Sequence, residues 1–268
     1  LMRRLRIITL VCFLLSAAAL GASTAYQVWS EDKTIPVIDC PEEPLVLSVK
    51  DSGTEVLMRD VTAYDEKDGD LTGQLLLEGI GRASDGDITV TYVVVDSDHH
   101  VASRSRTLQY TDYTPPRFAL SKELRYSMGS SVRIKDRLTA TDVVDGDLSD
   151  RIKVNSNDLS PYYEGTYPVT FEVTNSLGDT ASLTMDVVVR NYAAGEPRIT
   201  LTQYLVYRKA GEPFDARAYL DSVSGGAVED VAIQLPEGGL SAGVSQVTYS
   251  CVGQNGTVGS TVLYVVTE

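Results

Sequence analysis

Two hydropathy patterns divide the chain. From Ile7 to Ser30 there is no charged residue, with Arg3, Arg4 and Arg6 before the run and Glu31 and Asp32 after it. As a helix this stretch is about 36 Å long, enough to cross a bilayer. Beyond it, apolar and polar positions alternate with a period of two, the mark of strands buried on one face. One heptapeptide opens such a run three times: Gly86-Asp-Ile-Thr-Val90-Thr91-Tyr92, Gly165-Thr-Tyr-Pro-Val169-Thr170-Phe171 and Gly243-Val-Ser-Gln-Val247-Thr248-Tyr249. The three glycines lie 79 and 78 residues apart. Solenoid repeats have periods of roughly 20–50 residues, so a longer one predicts a whole small domain in three copies.

The alternation predicts strands at Leu45–Val49, Glu55–Leu57, Gln74–Leu77, Val90–Val95 and Ser105–Tyr110 in the first copy. In the second they fall at Val132–Ile134, Ile152–Val154, Tyr167–Thr174 and Ala181–Val189, and in the third at Ile199–Val206, Val231–Gln234, Gln246–Val252 and Thr257–Val266. Pro36, Pro115-Pro116 and Pro197 mark where each copy begins, since proline cannot donate to a ladder and suits the edge of a strand. Polar turns with Asn, Asp and Gly join the last two strands of each copy. The expected organisation is a leader or anchor at 1–33 and three all-β sandwich domains at 34–113, 114–192 and 196–268. The joints Thr111–Thr114 and Asn191–Glu196 are short, so three separate cores set end to end would make a rod of about 60–80 Å.

The apolar run has two readings. As a membrane anchor it would leave its basic flank inside, with Tyr26 and Trp29 at the outer interface. As a cleaved signal peptide it would have Ile7–Leu15 for its core and Ala17-x-Ala19 or Ser23-x-Ala25 for its cleavage site. The weak apolarity of its second half favours cleavage, while the lack of a sorting signal after the last predicted strand favours retention. Val11 is too bulky before Cys12 for lipoprotein processing. Either fate exports the domains, and the first makes the cell membrane a partner.

Charge narrows the partners further. The formal net charge is −14 and the pI about 4.6, a surface that repels phosphate backbones and argues against nucleic acid. Cys12 sits in the apolar run, and Cys40 and Cys251 fall in different copies, so no copy holds a disulfide pair. Tyr supplies 15 of the aromatic side chains, against 4 Phe and 1 Trp. Tyr204, Tyr207 and Tyr219 cluster in the third copy, where they suit core packing or, less directly, a binding face.

A second shared element is acidic. Thr62-Ala-Tyr-Asp65-Glu-Lys-Asp68-Gly69-Asp70-Leu71-Thr72 aligns with Thr139-Ala-Thr-Asp142-Val-Val-Asp145-Gly146-Asp147-Leu148-Ser149, offset by 77 residues. With the glycine-to-strand element, this motif resembles the bacterial surface immunoglobulin-like repeats, akin to HYR and cadherin-like modules and marked by D-x-x-D-G-D-L-[TS]. The resemblance spans nearly everything after the apolar run. It implies immunoglobulin-like β-sandwiches on exported proteins that act as spacers, adhesive stalks or accessory domains of envelope complexes. The third copy, aligned at Ala218-Tyr-Leu-Asp221, loses the D-G-D core.

The acidic turns admit two chemistries. Asp65, Asp68, Asp70, Asp142, Asp145 and Asp147 offer oxygens to a hard cation, and extracellular modules hold calcium with dissociation constants of about 10⁻⁴–10⁻³ M. The same residues before a glycine are also ordinary turn chemistry, the carboxylate accepting nearby N–H groups and the glycine taking positive φ. His99 and His100 are adjacent in a turn, which suits solvent better than a shared metal. The sequence carries no nucleophile elbow, zinc-protease or phosphate-loop motif. No catalytic residues and no organic cofactor are expected. The predicted role is a non-catalytic surface spacer or adhesive stalk, with a surface protein or glycan as partner and the third domain as an alternative binding module.

Overall fold

A computed structural model describes residues 2–30, 33–156 and 158–268, and within the first helix the side chains from 6 to 26. Glu31 and Asp32, and the side chains of Arg3, Arg4 and Trp29, lie outside the described residues. The chain divides into two compact units, Leu1–Tyr110 and Thr111–Glu268.

In the first unit, α1 (Met2–Ser30) carries an apolar stretch, Arg6–Tyr26, of mean hydropathy 2.1, none of it buried. The sandwich that follows contains β1 (Val37–Asp39), β2 (Leu45–Leu47), β3 (Thr62–Asp65), β4 (Gly69–Asp70), β5 (Leu76–Arg82), β6 (Ile88–Val95) and β7 (Val101–Tyr110). They form two sheets, ordered β1-β3-β4 and β2-β7-β6-β5. The leading segment is shared between sheets: β1 pairs antiparallel with β3, and β2 pairs parallel with β7. This split first strand makes the sandwich immunoglobulin-like. Val90, Tyr92 and Val94 point inward from β6 and are fully buried, so the recurring heptapeptide supplies the centre of the core. The Tyr92 hydroxyl donates to the Leu57 carbonyl at 2.7 Å, which satisfies its one polar atom inside the core.

The second unit repeats this order twice, the second time without a counterpart of β4. Its first sandwich has β8 (Arg117–Leu120), β9 (Arg125–Tyr126), β10 (Leu138–Asp142), β11 (Gly146–Asp147), β12 (Lys153–Asn155), β13 (Gly165–Thr174) and β14 (Thr180–Val189). Its second has β15 (Arg198–Leu201), β16 (Leu205–Arg208), β17 (Leu220–Ser224), β18 (Ala232–Gln234), β19 (Gly243–Val252) and β20 (Val258–Thr267). The sheets are β11-β10-β8 with β12-β13-β14-β9, then β15-β17 with β16-β20-β19-β18. Again the split strand joins the last one in parallel, β9 on β14 and β16 on β20. Pro116 and Pro197 each stand directly before the first strand of their sandwich, as Pro36 stands before β1.

The sequence led to separate cores, and here the structure differs. The buried side chains of these two sandwiches form one continuous cluster, from Phe118 through Val187 to Val265. The Tyr204 amide donates to the Leu120 carbonyl and the Tyr264 amide to the Tyr204 carbonyl, both at 3.0 Å. The Tyr207 hydroxyl accepts from the Phe118 amide at 3.0 Å and the Tyr264 hydroxyl from the Asp186 amide at 2.8 Å. Tyr204 and Tyr207 therefore pack and bond within the unit, and Tyr219 stacks on Phe214 with ring centroids 5.6 Å apart.

Three predicted strands are corrected. Glu55–Leu57 lies in a helical turn, Thr54–Leu57, because the Val56 and Leu57 amides both donate to the Gly53 carbonyl. Val132–Ile134 runs into a 3-10 turn at Ile134–Asp136 rather than pairing. Ile199–Val206 breaks into β15 and β16 because the chain crosses between sheets there. A three-residue segment with two apolar positions fits one helical turn as well as a short strand, so alternation alone does not separate them.

Candidate functional site

In the first two sandwiches the acidic motif folds identically. Asp65 ends β3, and its Oδ1 accepts the amides of Lys67 and Asp68 at 2.9 and 3.0 Å. Asp142 ends β10 and does the same for Val144 and Asp145 at 2.8 and 3.0 Å. Gly69 and Gly146 then take φ values of +75° and +73°, a conformation that favours glycine. Asp70 accepts from the Thr72 amide and Asp147 from the Ser149 amide, each at 2.9 Å. The following leucines, Leu71 and Leu148, are almost fully buried.

The middle aspartate reaches furthest. Asp68 accepts from the Ser97 amide and hydroxyl at 2.7 and 2.8 Å, across to the turn between β6 and β7. Asp145 binds Ser176, between β13 and β14, in the same bidentate way at 2.7 and 2.6 Å. Arg151 adds an ion pair to Asp145 at 2.9 Å. Each motif is thus a clasp that ties the small sheet to the far hairpin of the large one. Burial pushes the Asp145 carboxyl up, yet the Ser176 bonds and Arg151 outweigh it and hold it below the ordinary value. Thr72 does so for Asp70, and Ser149 for Asp147.

The second clasp also holds the segment that leads into its sandwich. The Asn175 amide group donates to Asp142 at 3.1 Å and to the Tyr113 hydroxyl at 2.9 Å, and that hydroxyl donates to Asp179. Burial and the bond to Asp179 push the Tyr113 hydroxyl up to about 12. In the first sandwich Asp96 and His100 occupy the places of Asn175 and Asp179. Asp96 accepts from the His100 amide at 2.8 Å and faces its Nδ1 at 2.7 Å. Burial opposes the Asp96 charge, but the His100 contacts prevail and lower its pKa. His99 takes φ 72° and is exposed.

These bonds bear on calcium. In each turn the first aspartate caps the turn, the second binds the far hairpin and the third closes an Asx turn. Among the described residues no group of three or more His, Cys, Asp or Glu side chains is placed to hold a metal. The oxygens diverge to separate N–H and O–H donors, which does not fit one cation needing six to eight oxygens.

The third copy solves the same problem without acids, and its alignment is corrected. β15 pairs Ile199 with Val223, as β8 pairs Phe118 with Ala140, so Gly225 stands in the place of Asp142 rather than Asp221. Here the incoming linker itself fills the space. A Cβ at Gly253 would lie 2.8 Å from the Gly195 carbonyl, and one at Gly259 would overlap the Pro197 carbonyl. Asn255 Nδ2 and the Thr257 hydroxyl donate to the Ala194 and Gly195 carbonyls, both at 2.9 Å. A run of glycines was the signal in the sequence, and it marks close backbone approach.

The joint within the second unit carries the densest buried polar network. Glu196 is 8% exposed and pairs with Arg125 at 3.2 Å and Arg190 at 2.5 Å. Arg125 also donates to the Ser260 carbonyl at 2.8 Å, and its guanidinium lies 4.8 Å from the Tyr192 ring centroid. Glu123 accepts from the Tyr192 and Thr261 hydroxyls. Burial and the Glu123 bond push the Tyr192 hydroxyl up to about 12. None of these residues was singled out in the sequence, because they lie up to 138 positions apart.

No family model matches the chain. Pesticidal crystal protein Cry22Aa of Bacillus thuringiensis is 30% identical over 146 residues, covering 52% of this chain and 19% of that protein. An uncharacterized 81.3 kDa protein of Acholeplasma phage L2 is 30% identical over 131 residues, covering 46% and 18%. The chain thus spans about a fifth of the length of these curated relatives. Among solved structures, Drosophila N-cadherin EC1-3 covers 85% of this chain and 98% of its own, at 10% identity and a TM-score of 0.31. The CBM51-2 and INT domains of Clostridium perfringens ZmpB, in complex with GlcNAc, cover 57% and 41% at 18% identity and a TM-score of 0.22. The fold assignment here rests on the chain's own sheets.

Proposed function

We propose that this chain is a non-catalytic structural stem of an exported protein, led across the membrane by α1, whose sandwiches hold an interacting surface away from the bilayer. The observation that carries this reading is the commitment of the acidic turns to structure. Equivalent carboxylates recur in successive sandwiches with the same hydrogen-bond partners, where an enzyme would present one unlike set in one cleft. The exposed apolar stretch of α1 supports export, as anchor or as leader. Sandwiches that share one apolar cluster within the second unit suit a spacer or adhesive stalk facing a surface protein or glycan.

The test is to express the full chain in bacterial cells with an epitope after Glu268 and add protease to intact cells. Digestion of the epitope from intact cells, with the protein cofractionating with membranes, is the expected result for an anchored stem. Release into the medium points to cleavage after export. Protection of the epitope until lysis would overturn the reading.

A further inference from the structure

Within the second unit a groove of about 640 Å³ opens between the β9 region of one sandwich and β15 of the next. Its lining is unlike the rest of this acidic chain. Lys122, Arg125, Arg133, Arg137 and Arg198 converge there, against two carboxylates, Glu123 and Asp136. Arg125 and Glu123 are engaged in the buried network described above. The other four cations make no ion pair among the described residues. Arg137 is fixed in place, donating to the Glu123 and Arg125 carbonyls at 2.5 and 2.7 Å and lying 4.1 Å from the Tyr126 ring centroid. Neutral acceptors leave its charge uncompensated. Lys122, Arg133 and Arg198 are exposed around it.

Two further observations point to a ligand. Tyr126 lines the groove, and its hydroxyl is buried with no hydrogen-bond partner among the described residues. Buried hydroxyls are ordinarily paired, so this one is an unmet donor beside the groove. Gathering four unpaired cations on a chain of net charge −14 also opposes the attraction that would scatter them among its acids. A bound anion removes that cost.

We infer that this groove binds an anionic oligosaccharide, a polyol chain bearing carboxylate or phosphate groups. The guanidinium fork matches either anion. Ser127, Ser131 and Thr200 supply hydroxyls for sugar hydroxyls, while Ser121 and Ser130 already donate to the Arg137 and Ser127 carbonyls and can only accept. An extended acidic peptide is disfavoured because β9 has only two residues, Arg125–Tyr126, too few to accept an added strand. The inference deepens the stem reading by naming the chemistry of its partner.

The test is titration calorimetry of the full chain in nonionic detergent against tetragalacturonate, a glycerol-phosphate tetramer, neutral cellotetraose and tetraglutamate. One or both anionic polyols are expected to bind, more weakly as salt rises, and which one does identifies the anion. Cellotetraose is expected not to bind. Lys122→Ser/Arg133→Ser/Arg198→Ser should weaken binding about tenfold or more with at most a small fall in melting temperature, since Arg198 lies 4.3 Å from the Tyr192 ring centroid. Arg104→Ser/Lys153→Ser/Lys209→Ser, which removes equal charge elsewhere, should retain affinity. Tyr126→Phe should weaken it in a folded protein. No binding of either anionic polyol at millimolar concentration, equal binding of tetraglutamate, or equal loss in the control variant would each overturn the inference. Such a failure would leave intact-cell proteolysis, and the stem reading it tests, untouched.

Discussion

Gly259 and Asp145 show how single positions hold these sandwiches together by opposite means. At Gly259 the absence of a side chain is the interaction, because the Pro197 carbonyl occupies the place of a Cβ. Gly259→Ala must push the linker off β20, an overpacking that typically costs about 1–3 kcal/mol. A lowered midpoint in urea denaturation is the expected outcome, and an unchanged one would mean the linker yields freely. At Asp145 the side chain is everything. Asp145→Asn keeps the shape but weakens two Ser176 bonds and the Arg151 pair, a loss of about 1–3 kcal/mol for hydrogen bonds to a charged group. The same residue gives a pH dependence. Its carboxyl titrates lower in the folded state than its ordinary value of 3.8. Its contribution is therefore complete above that value and is lost as pH falls through the folded one. Asp70, Asp96 and Asp147 shift in the same direction. The melting temperature should be flat near neutrality and drop steeply below about pH 4, less steeply in Asp145→Asn.

At the scale of elements, the clasp turns decide between structure and cation binding. Their carboxylates already accept two or more hydrogen bonds each in most cases, so calcium would have to displace N–H donors that fix the turn. The melting temperature is expected to be the same in 2 mM calcium as in chelator, within the weak affinity range of extracellular modules. A clear rise with calcium would assign the ion to these turns. How much of this was legible in the sequence follows from locality. The heptapeptide with Val90 and Tyr92, and its counterparts, is a strand read by alternation, and its aromatic position is fully buried in all three sandwiches. The turn pattern D-G-D-L was legible as well, because Gly69 and Gly146 need positive φ and the next leucine plugs the core. The bonds from Asp68 to Ser97 and from Asp145 to Ser176 were not, since they join positions 29 and 31 residues apart whose meeting depends on the closed sandwich. The third copy was misaligned for a related reason. Without the acids, only pairing to β15 shows that Gly225 fills the place of Asp142.

At the scale of the whole molecule, the joint inside Thr111–Glu268 matters more than any one sandwich. A linker between independent domains lets them melt separately, whereas a shared apolar cluster and a buried ion network force them to unfold together. Arg125 is the keystone of that network, its side chain 9% exposed beside a Glu196 side chain that is 2% exposed. Arg125→Met would leave Glu196 with Arg190 and the Ala193 amide and strip the Arg125 donor from the Ser260 carbonyl. Breaking a buried pair on one side typically costs about 3–5 kcal/mol. That loss falls on the interface rather than on either β-sheet core. Calorimetry of the full chain should therefore show the two sandwiches of this unit melting in one transition, and in Arg125→Met that transition should split in two. Separate transitions in the unaltered protein would mean that the continuous cluster does not couple them. The stem would then flex at Asn191–Glu196, and the cationic groove would open and close with it instead of standing preformed.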